Sequence, residues 1–209
     1  ARIEWLPSDE DGLSDAVFAQ DPSFVTRHGA VVLNMGKALR RGEPALHAAF
    51  YEALGVPVIG RLSGDATAEA GDCFWLDPDT LAVGRGARTN QAGIDALEAI
   101  LRPHGMRVLA YDLPWWTGPD ACLHLMSLVS PLGPDIALIH APLLPYALWS
   151  EMVSRGWELL HAPGDEFAAS NGLSLNVLAL GPRDLVMVDG FPRTRALMEA
   201  AGCRGQVFQ

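Results

Sequence analysis

The sequence is short of several things, and each shortage closes off a class of function. It has three cysteines, Cys73, Cys122 and Cys203, and no Cys-x-x-Cys pair. An odd number of widely spaced thiols disfavours a disulfide framework or a cysteine-ligated zinc site. A reducing, cytoplasmic compartment is the expectation. Basic residues are scarce: 15 Lys+Arg stand against 25 Asp+Glu, a formal net charge of -10. A general basic surface for nucleic acid is therefore not expected. No long apolar run is present. The most apolar stretch, 136–149, is interrupted by His140, Pro142 and Pro145, too short and too broken to span a membrane. Residues 1–13 are acidic and carry no apolar signal core. No metal is expected, because His28, His47, His104, His140 and His161 show no His-x₃-His or His/Cys spacing. No phosphate-binding cofactor is expected either. Gly84-Arg85-Gly86 lacks the third glycine and the following Lys-Ser/Thr.

What is present is a globular composition, 49% apolar and 19% charged over 209 residues, enough to bury a sizeable core. The chain also repeats itself. Four times it reads strand, tight turn, strand, helix, strand, with a period near fifty residues. The first unit has strands expected at 16–26 and 30–34, a helix over 44–54 and a strand at 56–59. The second has strands at 72–76 and 81–83, a helix over 90–101 and a strand at 106–110. The third has strands at 123–129 and 136–140, a helix over 146–155 and a strand at 157–160. The fourth has strands at 173–180 and 185–188, a helix over 193–201 and a strand through Val207. Gly55, Gly156 and Gly202 lie just past three of these helices, where a left-handed cap is wanted. A generic parallel α/β fold gives one strand per helix; here each helix follows a hairpin. Such units cannot bury an apolar face alone, and stacked around an axis they form a closed or nearly closed ring. With no low-complexity linker, residues 1–209 are expected to form a single α/β-propeller domain.

Polar residues recur at the start of these units. The first offers Asp15, Gln20 and Asp21, the second Glu69 and Asp72, the third His124, and the fourth Asn171 and Asn176. Carboxylates and a histidine set in apolar strands are costly to bury without partners. Each has an ordinary explanation: Asp21 precedes Pro22 and suits a turn, Glu69 suits a solvated loop, and His124 alone suits a core. Their recurrence at corresponding positions favours a shared polar cleft.

Five segments in order resemble the guanidino-group-modifying superfamily, which includes dimethylarginine dimethylaminohydrolase, arginine deiminase and the amidinotransferases. They are Ser14-Asp15-Ala16-Val17-Phe18-Ala19-Gln20-Asp21, Leu39-Arg40-Arg41-Gly42-Glu43, Glu69-Ala70-Gly71-Asp72, Arg88-Thr89-Asn90 and Leu123-His124-Leu125. The resemblance implies a five-bladed α/β propeller (pentein) of ββαβ modules, about four of them in this chain. It implies attack of a cysteine thiolate on a guanidinium carbon and a covalent amidino-enzyme intermediate. It assigns His124 as general acid/base and Glu69 as the acid that orients it, the two catalytic residues. Asp21, Asp72, Asp15 and Gln20 bind the guanidino substrate, with Arg88 on an α-carboxylate and Arg40 shaping the pocket. A planar, permanent cation wants carboxylates in bidentate geometry, which fits these residue types.

The sequence departs from the family pattern at Gln20, where a Glu is usual. Met126 stands where deiminases carry an aspartate, which leans the chain towards dimethylarginine hydrolases. None of the three cysteines matches the position of the family's nucleophile. Two expectations follow: that the nucleophilic Cys is not present in this chain, and that the chain lacks its N-terminal start and the C-terminal cysteine loop. The expected activity is hydrolysis of arginine or a methylated arginine, a step of arginine metabolism. The alternatives are an amidinotransferase passing the amidino group to an amine acceptor and a non-catalytic guanidino-binding remnant. The partner is then a small guanidino molecule, not nucleic acid or membrane, with a homodimer as the one protein assembly considered.

Overall fold

A computed structural model of the chain describes residues 3–7, 12–118 and 123–208. The chain divides into two compact units: Ala1–Cys73 with Pro78–Ala110, and Phe74–Asp77 with Tyr111–Gln209. Four ββαβ modules are present in chain order, which bears out the repeat and the α/β class. The first is β1 (Ser23–Thr26), β2 (Gly29–Val32), α1 (Glu43–Ala53) and β3 (Val58–Arg61). The second is β4 (Cys73–Asp77), β5 (Thr80–Arg85), α2 (Gln91–Leu101) and β6 (Arg107–Asp112). The third is β7 (Val129–Pro131), β8 (Ile136–Ile139), α3 (Tyr146–Ser154) and β9 (Glu158–His161). A short helix, α4 (Gly164–Ala169), precedes the fourth: β10 (Val177–Gly181), β11 (Asp184–Val188), α5 (Pro192–Ala200) and β12 (Arg204–Phe208).

Each module folds its three strands into one sheet with the second strand in the middle. In the first, third and fourth sheets the hairpin pair is antiparallel and the pair closed by the helix is parallel. That is the direction a helical crossover imposes. The middle strands β2 and β8 are buried along their whole length. They read Gly-Ala-Val-Val and Ile-Ala-Leu-Ile, the continuous apolar runs of strands covered on both faces. In α2 the buried residues are Gly93, Ile94, Leu97 and Leu101, a 3.6-residue spacing. Burying a leucine such as Leu97 contributes about 1.5–3 kcal/mol. Asn90 caps this helix by accepting the Gly93 N–H at 2.8 Å. Gly93 has no substitute, because a Cβ there would stand 1.9 Å from the Thr67 carbonyl oxygen.

The structure differs from the sequence reading where each module begins. Residues 16–22 form turns, and β1 starts only at Ser23. Likewise Leu125–Ser127 and Leu173–Leu175 are single 3-10 turns ahead of β7 and β10. Part of the apolar composition of these stretches belongs to buried turn residues, Leu125 and Leu175, while Val17, Phe18 and Leu173 are exposed. The helix α4 is also new. Six residues between Gly164 and Ala169 give too little periodicity to be read from sequence. Among the described residues, no helix is long and apolar enough to cross a membrane.

Candidate active site

All four modules enter their first strand through the same backbone turn. The N–H of Asp21, Asp72, Ser127 and Leu175 donates to the carbonyl three residues back. The acceptors are Phe18 at 3.3 Å, Glu69 at 2.9 Å, His124 at 3.0 Å and Gly172 at 3.0 Å. This i→i−3 bond is the unit of a 3-10 turn. Asp21 and Asp72 thus occupy one position of the repeated turn, and Glu69 and His124 another. The candidate residues are not embedded in strands, as their sequence context suggests. They ride on turns that the repeat itself builds.

In the first unit, two such turns carry Asp21, Glu69 and Asp72, which are 9%, 0% and 0% exposed. Buried carboxylates need partners, and the unit supplies them. Asp21 Oδ2 accepts from Arg40 Nη1 at 2.7 Å, and its Oδ1 accepts from the Gly71 N–H at 3.1 Å. The Ala70 N–H reaches the Asp21 carbonyl at 2.9 Å, so one turn is tied to the next. Glu69 Oε1 accepts the N–H groups of Gly36 at 3.0 Å and Lys37 at 3.2 Å. Arg88 Nη1 lies 3.7 Å from the same oxygen. Asp72 Oδ2 accepts from Thr89 Oγ1 at 2.7 Å. Gly36 is needed for close approach: a Cβ there would meet the Arg88 carbonyl oxygen at 2.5 Å.

Arg40 is the structural centre of this unit's acid cluster. Its guanidinium forks onto Glu43, with Nε–Oε1 at 2.9 Å and Nη2–Oε2 at 2.7 Å, and reaches Asp21 with Nη1. Nη2 also donates to the Phe18 carbonyl at 3.2 Å, and the Phe18 ring centroid lies 5.8 Å from the guanidinium carbon. Burial alone would lower its pKa, but the bonds to Glu43 and Asp21 outweigh that and raise it. Asp15 is partly exposed and pairs with Lys37 Nζ at 2.5 Å, a bond that lowers its pKa. Gln20, next to Asp21, is exposed. Asp15, Asp21, Glu43 and Glu69 thus meet Lys37, Arg40 and Arg88, and Asp72 is held by Thr89.

In the second unit, His124 opens the equivalent turn. It is 9% exposed, and its N–H donates to Ser127 Oγ at 3.2 Å. Sequence reasoning missed Glu43, the backbone donors of Gly36, Lys37 and Gly71, and Thr89. Glu43 had a legible signal, since Arg40 and Glu43 stand at i,i+3. Backbone donors leave no signal in a side-chain pattern.

This repeated ββαβ architecture with acids and a histidine on its entry turns defines a class, an α/β protein of the guanidino-modifying kind. The comparisons give the family. The model of the family described as arginine deiminase matches residues 10–143. The N(G),N(G)-dimethylarginine dimethylaminohydrolase of Streptomyces coelicolor is 31% identical over 200 residues, covering 96% of this chain and 69% of the relative. The enzyme of the same name from Pseudomonas aeruginosa is 27% identical over 202 residues, covering 97% and 72%. A solved mutant of the Pseudomonas aeruginosa dimethylargininase, complexed with citrulline, shares the fold with a TM-score of 0.78. It is 24% identical and covers 96% of this chain and 71% of that one. The chain belongs to the arginine deiminase/dimethylarginine dimethylaminohydrolase family.

One expectation is corrected. That no nucleophilic cysteine is present does not stand, because Cys73 and Cys203 are both free thiols and the relatives named above are hydrolases. Asp72 closes a 3-10 turn, and β4 begins only at Cys73. Cys73 lies within reach of the acids' field: burial first, then the charges of Asp72 and Asp21, push its thiol pKa up. Its Sγ is 3.8 Å from the Glu69 carbonyl oxygen. Burial also raises Cys203, against the opposing pull of Arg183. Cys122 lies outside the described residues.

Proposed function

We propose that this protein is a cysteine-dependent hydrolase of a guanidino compound, arginine or an N-methylated arginine. The observation that carries the reading is the match to two dimethylarginine dimethylaminohydrolases along nearly the whole chain. The cluster of buried carboxylates in the first unit supplies a physical reason, because a planar cation is what such a set attracts. Asp21, Asp72 and Asp15 hold the guanidinium, with Gln20 beside them. Arg88 meets the substrate's α-carboxylate, and Arg40 keeps the Asp21 turn in shape. A cysteine thiolate adds to the guanidinium carbon, and the C–N bond to the amine breaks. His124, as general acid, delivers the proton that lets the amine leave. Water then adds to the amidino carbon, His124 takes its proton, and the thiolate leaves with the C–S electron pair. The product is a ureido amino acid. Glu69 orients His124 for these transfers. The free thiols of Cys73 and Cys203 support a reducing, cytoplasmic setting.

The test is to incubate the protein with L-arginine and its N-methylated derivatives and to quantify released ammonia or amine together with ureido product. Equal yields of both support the reading, and acid-quenched peptide mapping then identifies the cysteine that carries the amidino group. Product that forms only with an added amine acceptor points instead to an amidinotransferase. Binding without turnover removes the catalytic claim.

A further inference from the structure

The Arg88-Thr89-Asn90 segment contains a residue whose bonds no role above uses. Thr89 is 0% exposed, as are Glu69 and Asp72. Its hydroxyl accepts the backbone N–H of Glu69 at 3.2 Å and donates to Asp72 Oδ2 at 2.7 Å. A hydroxyl carries one proton. With the Glu69 N–H pointing at Oγ1, that proton is directed to Asp72, and Oδ2 is fixed as an acceptor. The same turn is closed from the other side by the Asp72 N–H on the Glu69 carbonyl at 2.9 Å. Thr89 is itself held at both ends. Its carbonyl accepts the Gly86 N–H at 2.9 Å, and Asn90 is anchored as the cap of α2 at Gly93 N and by Thr67 N at 3.2 Å. The hydroxyl therefore hangs from a rigid helix start and reaches both ends of the turn that carries the two acids.

We propose that Thr89 is a positioning residue, whose hydroxyl clamps the Asp72 carboxylate to the Glu69 backbone and so sets the orientation in which Asp72 meets a guanidinium. The proposal rests on the reading of Asp72 as substrate-binding. A hydroxyl bonded both to a backbone donor and to a carboxylate limits the carboxylate's rotation, which a packed methyl cannot do. Serine keeps this function, and valine keeps the shape without it.

The experiment compares wild type, Thr89→Val and Thr89→Ser with N,N-dimethyl-L-arginine as the probe, reading kcat and KM separately. It also reads the carboxyl ¹³C shift of Asp72 at pH 7, assigned through Asp72→Asn. The expected result for Thr89→Val is a KM raised about tenfold, some 1.4 kcal/mol of binding, with kcat little changed and a displaced Asp72 resonance. Thr89→Ser restores both. A KM unaltered in Thr89→Val overturns the proposal. If wild type turns over no guanidino substrate, the functional reading fails, and the Asp72 resonance alone decides: an unmoved signal in Thr89→Val overturns the clamp. If Thr89→Val does not fold, Thr89→Ala takes its place. Failure of both to fold makes Thr89 a folding residue and also overturns the proposal.

Discussion

The entry turns of the first unit and those of the second share one backbone bond and differ in almost everything else. In the first unit they end in Asp21 and Asp72, and one opens with Glu69. In the second they end in Ser127 and Leu175 and open with His124 and Gly172. The acids are held by Arg40, Thr89 and backbone donors. In the second unit the same positions carry one imidazole and otherwise small or apolar groups, with the Ser130 hydroxyl bonded to the Leu175 carbonyl. The fold repeats the turn, and the sequence decides which copies carry charge. This separates what a module needs in order to fold from what the family reaction needs.

That separation can be broken by substitution, with the largest effects expected at the polar turns. His124→Ala should lower turnover by about 10²–10⁴-fold, the usual worth of a general acid/base, while the melting temperature stays near that of wild type. Undiminished turnover would remove His124 from the mechanism. Arg40→Met tests the scaffold beneath the acids. It leaves Glu43 and Asp21 buried beside an apolar side chain, and breaking such a pair costs about 3–5 kcal/mol, read by urea denaturation. Loss below about 1 kcal/mol would mean that Arg40 is not the centre described.

Smaller effects sharpen the contrast. Two buried histidines, His47 in the first unit and His140 in the second, have a lowered pKa. His47 is lowered by burial and then by the Arg40 charge, and its Nδ1 meets Ser23 Oγ at 2.8 Å. His140 is lowered by burial, is stacked 3.5 Å from Phe167, and its Nδ1 has no partner among the described residues. Below the ordinary value of 6.5, the unfolded chain takes up protons that the folded chain refuses. Stability is therefore full above that pH and falls as the pH drops from there towards the folded values. His47→Gln should flatten part of the fall in melting temperature between pH 6.5 and the folded value, leaving the part due to His140. An unchanged slope would remove His47 as a contributor. The smallest effect is at Ser174, which is fully buried in the second unit's turn and whose hydroxyl has no partner among the described residues. The equivalent position in the first unit is Gly71, whose N–H holds Asp21. Ser174→Ala should be neutral or stabilising by about 1 kcal/mol, measured by thermal melting. Clear destabilisation would show that the hydroxyl is satisfied.

Much of the fold was legible because periodicity is a property of side chains. Four hairpins each followed by a helix could be counted, and Gly55, Gly156 and Gly202 all have the positive φ their caps require. The entry turns were misread as strands for a definite reason. Three or four residues such as Leu123-His124-Leu125 show no difference between period 2 and a 3-10 turn. The candidate acids drew notice through their charge in apolar surroundings, whereas the Arg40–Glu43 spacing was present in the sequence and went unread. The site's backbone donors were not legible, nor was the Thr89 hydroxyl, whose importance lies in the direction of one proton.

The central claim is that the acid-bearing turns of the first unit hold a guanidinium cation. Calorimetric titration of wild type and Asp72→Asn with N,N-dimethyl-L-arginine tests it most directly. The account predicts saturable binding to wild type and affinity about 10- to 100-fold weaker in the variant, the loss of a charge-assisted bond worth about 1.5–3 kcal/mol. Equal affinity in the two proteins, or no binding to either, would contradict it.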